Sequence, residues 1–171
     1  MSAEFSHEPS APVLVLGIGN PLLADDGVGP VLLERLRDSY ADDPRVELVD
    51  GGTQGLALVR LLQGRHALLL LDAVQRGARA GHVHVVYGAE RIAQQRGFGV
   101  HGSNASELLA VAGLVDALPA TVELVGIEPA EVHLRYGLSL PVARAVPRAA
   151  ARARARLAEL LAREDQLACT S

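Results

Sequence analysis

Three side chains of this chain combine a reactive type with a suggestive position: Asp26, Asp72 and His101. Asp26 lies in the loop GIGNPLLADDGVGP, residues 17–30, which follows the apolar run Val13 to Leu16. Asp72 closes a second apolar run, HALLLLDA. If both runs are strands of one parallel sheet, the two carboxylates emerge at its carboxyl edge, where open α/β sheets hold their ligands. His101 sits in GFGVHGSNASELL, in a loop before a helix capped by Ser103 or Asn104, with Glu107 completing an N-x-x-E box on Asn104. That loop can approach the same edge. Two carboxylates and one imidazole form an O,O,N ligand set suited to a borderline first-row divalent ion such as nickel, iron or zinc. Each residue also has a plainer role. Asp26 precedes a helix, where an acid gains ~0.3–1 kcal/mol from the macrodipole; Asp72 could cap a turn, and His101 could be an ordinary loop histidine. A charge closing a central apolar strand is the hardest of the three to explain in this way, because it is partly desolvated.

Other chemistries find no support. The glycines of residues 17–30 suggest a phosphate cradle, but G-x-G-x-x-G would need glycine where Leu22 stands, and the Gly-Lys-Ser/Thr of a P-loop is missing. Asp25 and Asp26 would also repel a phosphate. There is no H-E-x-x-H, no G-x-S-x-G and no Cys/His nucleophile pair. The single cysteine, Cys169, lies near the end of the sequence, so no intrachain disulfide forms and a buried nucleophile there is not expected. A second glycine-rich loop, Asp50-Gly51-Gly52-Thr53-Gln54-Gly55, also follows a strand and opens a helix. It is either a wall of the same crevice, able to take an extended peptide, or an αL turn followed by Thr53 as N-cap. Glu128-Pro129 is likewise a turn or a crevice wall.

The elements that must position these residues follow from hydrophobic periodicity. Residues 12–18, 45–49, 66–71, 82–87 and 121–127 read as strands, and 27–39, 55–63, 104–115 and 141–163 as helices. The mainly β-α-β-α order predicts a three-layer α/β/α sandwich around a mostly parallel sheet of about five strands, of the hydrolase-like kind. Residues 82–87 follow the third strand across ARAG without a helix, which predicts a hairpin and a mixed sheet. The last helix carries Val142, Val146, Ala149, Ala153, Leu157 and Leu160 on one face and Arg144, Arg148, Arg152 and Arg156 on another. The arginine row reads as a solvated face or as a docking surface for an acidic partner.

Composition bounds the function. With 171 residues, 49% hydrophobic and 3% aromatic, the chain makes one domain with an aliphatic core, residues 1–11 and 165–171 being expected as flexible tails. A net charge of −4 gives no general attraction to nucleic acid or anionic membranes, and no apolar run is long enough to span a bilayer. A cytoplasmic monomer is the expectation.

The motifs GIGNPLLADDGVG, DGGTQG, LLLLDAV, HGSNASELL, VGIEP and GLSLPV occur in the order of one family, and the chain resembles the nickel-iron hydrogenase maturation endopeptidases from about residue 13 to residue 160. The resemblance implies the three-layer fold and an enzyme that removes a short C-terminal extension from the hydrogenase large-subunit precursor after nickel insertion. By motif position, the family's metal-contacting and catalytic trio corresponds to Asp26, Asp72 and His101. Nickel would arrive with the substrate as its mark of readiness, and either metal or carboxylate would activate the attacking water. Asn20 and the loop Gly51, Gly52, Thr53, Gln54 and Gly55 are candidates for holding the substrate tail. Some members carry Glu at the position of Asp26, and Val142 stands where an acid is commoner, a change in a helix start. Two rivals remain: a non-catalytic nickel-binding chaperone, and the peptidyl-tRNA hydrolases, which share GIGNP but carry Arg-His-Asn where this chain reads DDGVGPVLL.

Overall fold

The computed structural model describes residues 11–94 and 104–169. Five strands, β1 (Val13–Ile18), β2 (Val46–Gly52), β3 (Ala67–Ala73), β4 (Val83–Tyr87) and β5 (Thr121–Ile127), form one sheet in the order β2-β1-β3-β5-β4. The pairs β1–β2, β1–β3 and β3–β5 are parallel, and β4 runs antiparallel to β5. The sheet is therefore mixed, as expected, but β3 and β4 do not form a hairpin. β5 lies between them, because a fully buried strand such as β5 gains more in the interior than the half-buried, histidine-bearing β4, which takes the edge.

Side-chain alternation divides the core into two layers. Val13, Val15, Leu69, Leu71, Val125 and Ile127 face α1 (Val28–Tyr40) and α5 (Leu140–Ala168). Leu14, Leu16, Leu68, Leu70, Val122 and Leu124 face α2 (Val59–Leu62), α3 (Ala89–Ala93) and α4 (Asn104–Leu114). Short 3-10 turns, Ala24–Gly27 and Gly55–Leu58, lead into α1 and α2. α5 continues through Ala168, so residues 165–168 belong to a helix and not to a tail. Its six expected apolar positions are all buried.

The helix α1 comes unusually close to the sheet. A Cβ on Gly29 would stand 2.1 Å from the Ile18 carbonyl oxygen and 2.4 Å from that of Leu71, so only glycine lets the first turn of α1 rest on the ends of β1 and β3. This approach brings the loop bearing Asp26 over the end of the strand bearing Asp72.

The arginine row of α5 is not uniform. Arg144 and Arg152 are exposed, and Arg148 donates from Nη2 to the Gly81 carbonyl oxygen at 2.9 Å. Arg156 turns inward. Its Nε and Nη2 donate to Glu123 Oε2 and Oε1 at 2.7 and 2.9 Å, and its guanidinium carbon lies 5.0 Å from the centroid of the Tyr87 ring. Glu123, buried at the register position of Leu69 on β5, requires this partner. Charge periodicity alone could not separate Arg156 from its exposed neighbours.

Among the described residues no helix is long and apolar enough to cross a membrane.

Candidate active site

Asp72 stands at the sixth position of β3, paired in register with Gly126 of β5, and is 5% exposed. Its Oδ1 accepts the Ala73 backbone N–H at 2.7 Å. Among the described residues no donor reaches its other oxygen. Asp26, half-buried in the 3-10 turn before α1, accepts the Asn20 backbone N–H on Oδ2 at 2.7 Å, and its Oδ1 likewise has no donor among the described residues. Burial pushes the Asp72 carboxyl well above the ordinary aspartate value, and the nearby Asp26 charge raises it further, against the opposing Ala73 N–H. Burial also raises Asp26, offset in part by the Asn20 N–H. Two desolvated carboxylates that repel each other, each with one oxygen lacking a donor among the described residues, have a repulsion that a cation would relieve.

The adjacent aspartates have opposite roles. Asp25 is wholly buried and accepts four hydrogen bonds: from the N–H groups of Ala130, Glu131 and Ser139 at 2.8, 3.1 and 2.7 Å, and from the Ser139 hydroxyl at 2.8 Å. It ties the β5–α5 connection beneath the loop that presents Asp26. The chain then crosses a strained point at Ala24, whose φ is +50°, while the Ala24 N–H donates to Arg135 O at 2.7 Å. Asn20 holds this loop from the other side, its Oδ1 accepting the Leu22 N–H at 3.0 Å and its backbone N–H serving Asp26.

The loop of residues 50–55 borders the same edge. The Gly19 N–H donates to the Gly52 carbonyl at 3.0 Å, joining the two glycine-rich loops. Gly52 and Gly55 adopt φ of +47° and +52°, as an αL turn requires, but Thr53 does not cap the helix, since a turn from Gln54 N–H to Gly51 O replaces the cap. Gly51 is buried, and a Cβ there would lie 2.9 Å from both Leu16 and Leu58, so close packing accounts for it. Thr53 and Gln54 are exposed and free to meet a ligand.

His101 lies outside the described residues. The helix that follows it, α4, covers the face on which Asp72 lies by its alternation with Leu68 and Leu70. Because α4 leads through residues 115–120 into the start of β5, its amino end is directed toward the carboxyl edge.

Glu128 is a further buried acid near this edge whose role the sequence left between turn and wall. The N–H groups of Arg76 and Gly77 and the His84 ring donate to it at 2.8–3.1 Å, fastening the connection after β3 to the end of β5. Burial pulls Glu128 upward, but the Arg76 N–H, the His84 ring and the N–H groups of Gly77 and Ala78 outweigh it and hold the carboxyl below its ordinary 4.5. Burial holds His84 below its ordinary 6.5 despite Glu128, so at neutral pH a neutral imidazole donates to a carboxylate. A depressed acid contributes stability above its ordinary value and loses it as pH falls through the lower folded value. Glu128→Gln is therefore expected to lower unfolding free energy at pH 7 by about 1.5–3 kcal/mol, with the difference shrinking below pH 4.5. Denaturant unfolding at pH 7 and in acid checks this; a pH-independent difference contradicts it.

A mostly parallel sheet with helices on both faces and two mutually repelling acids at its carboxyl edge defines an α/β protein with an acidic crevice. A family model described as hydrogenase maturation protease matches residues 30–155. A hydrogenase expression/formation protein of Azotobacter chroococcum, HupM, is 39% identical over 123 residues, covering 71% of this chain and 59% of the relative. The hydrogenase 2 maturation protease of Escherichia coli K12 is 28% identical over 129 residues, 74% of this chain and 79% of that protein. The solved hydrogenase maturating endopeptidase HybD of E. coli superposes with a TM-score of 0.77 at 27% identity, covering 86% of this chain and 92% of that one. This chain belongs to the hydrogenase maturation protease family. It spans about three fifths of the length of relatives such as HupM.

Proposed function

We propose that this chain is an endopeptidase that cuts a short C-terminal extension from the large-subunit precursor of a nickel-iron hydrogenase once nickel is in place. The observation that carries the proposal is the pair Asp26 and Asp72, which repel each other and each keep one oxygen without a donor among the described residues. The nickel ion belongs to the substrate, and its presence would relieve the repulsion between the two acids. Only a loaded precursor then gains the full binding energy. His101 would supply the nitrogen ligand that completes the set. Exposed Thr53 and Gln54, with the backbone of the 50–55 loop and of Asn20, would hold the extension alongside.

The residues of the chain account for the proton transfers of the hydrolysis. A water attacks the scissile carbonyl carbon, and its proton passes to one of the two carboxylates, both of which burial makes more basic. The C–N bond then breaks, the proton is returned to the departing amine, and the new C-terminal carboxylate remains on the mature subunit. In this sense the reaction is aspartic in type, with the metal serving recognition and orientation. We assign the protein to the cytoplasm as a monomer, where the exposed thiol of Cys169 remains reduced.

Ligation and simple charge have different signatures. Asp26→Glu is expected to retain processing and Asp26→Asn to lose it by at least about a hundredfold, as is His101→Ala, with unfolding midpoints little changed. Electrophoretic separation of precursor and product over time reads the rates. Equal activity in Asp26→Asn and the unaltered protein would overturn the assignment, and tight precursor binding without any cleavage would mean a chaperone.

A further inference from the structure

A cavity of about 420 Å³ lies between the β3–β4 connection and the first turns of α5, lined by Arg79, Gly81, Leu140, Pro141, Arg144 and Arg148 among others. Its floor is fixed. The Gly81 N–H donates to Glu128 O at 2.8 Å, the Gly81 carbonyl accepts from Arg148, and a Cβ on Gly81 would stand 2.6 Å from Pro141 O. Its rim is cationic, for the guanidinium groups of Arg79 and Arg144 are exposed and have no partner among the described residues. Among the described residues no carboxylate lines the cavity. By contrast Arg37, Arg45, Arg65, Arg135 and Arg156 each pair with an acid of the chain. In the sequence, Ser139, which holds Asp25, immediately precedes Leu140 of the cavity wall.

We propose that this groove docks an acidic segment of the protein substrate, its carboxylates on Arg79 and Arg144 and an apolar side chain against Leu140 and Pro141. The inference rests on the maturation-protease reading for the identity of the substrate, though not for the chemistry of the groove. Arg148 belongs to the floor, and Arg152 and Arg156 lie outside the groove, so the docking surface draws on two elements and not on the helical row alone. The charges act on encounter and affinity, leaving the bond-breaking step to the carboxylates.

The test compares the unaltered protein with Arg79→Glu/Arg144→Glu and with the milder Arg79→Gln/Arg144→Gln. Both side chains are exposed, so the fold is retained. With nickel-loaded precursor, the Glu pair is expected to raise KM about tenfold or more at unchanged kcat, the Gln pair less, and the dependence of KM on salt should flatten in both. Separately, fluorescence anisotropy follows a labelled octaglutamate peptide, which should bind the unaltered protein more tightly than octaglutamine does and lose that preference in the Glu pair. An unchanged KM, octaglutamate no better than octaglutamine, or an oligothymidylate binding as well as octaglutamate would each overturn the proposal. The peptide assay needs no proteolysis, so a failure of the protease reading shows as uncut precursor with peptide binding intact.

Discussion

Asp72→Asn is expected to abolish precursor processing, by about 10³-fold or more, while making the protein harder to unfold at neutral pH. The two effects share one cause. Asp72 is buried at the end of a central strand with a single backbone donor among the described residues, and Asp26 repels it. An acid whose folded value is raised binds its proton more readily in the native state than in the unfolded chain, so it costs stability as pH rises above 3.8. That cost is complete above the raised value and absent well below 3.8. An amide of the same shape avoids it, and each kcal/mol recovered is worth about 2–4 °C in Tm for a chain of this size. The gain should therefore be present at pH 7 and fade in acid. Calorimetry of the two proteins without substrate, at neutral and acidic pH, reads it directly. A lower Tm for the Asn variant at pH 7 would show that Asp72 is a structural acid whose charge the fold requires.

Asp25→Ala should do the reverse, unfolding the site from beneath. The change removes a fully buried acceptor and leaves the Ser139 N–H and hydroxyl unpaired in the interior, with the Ala130 and Glu131 N–H groups losing their acceptor nearer the surface. The expected loss is about 3–5 kcal/mol, at the upper end for a single substitution. Because those bonds clamp residues 130–139 beneath the Asp26 loop, processing should fall as well, even at temperatures where the variant remains folded. Denaturant unfolding of Asp25→Ala beside Asp26→Ala tests the division of labour between the neighbours. The second should cost little stability, and equal losses would contradict the distinct roles given to the two residues.

The contrast between Asp25 and Asp26 shows where sequence reasoning stops. Two adjacent acids of the same type carry no signal of which one turns inward; that depends on where residues 130–139, more than a hundred positions later, return to the loop. Strand existence was legible because the runs at Val13–Ile18 and Ala67–Ala73 are buried on both faces and so read as continuous apolar segments. Strand order was not. Residues 82–87 stand next to β3 in sequence but pair with β5, since a local hairpin signal says nothing of a later strand that is a better partner for the center of the sheet. The place of Asp72 at the end of a buried strand was legible because it closes a continuous apolar run. Arg156 was not, because its partner Glu123 lies on a different element and the spacing of four is the same for paired and solvated arginines. The closeness of α1 to the sheet was hidden for a similar reason, as Gly29 is one of several glycines in its loop and only the packed structure distinguishes it.

The measurement that bears most directly on the metal-gated protease is mass spectrometry of large-subunit precursor incubated with this protein, nickel-loaded and nickel-free, beside the Asp72→Asn variant. Loss of one discrete C-terminal peptide, only from the nickel-loaded precursor and only with Asp72 present, is the predicted result. Cleavage of the nickel-free precursor at the same rate, or cleavage by the Asp72→Asn variant, would contradict it.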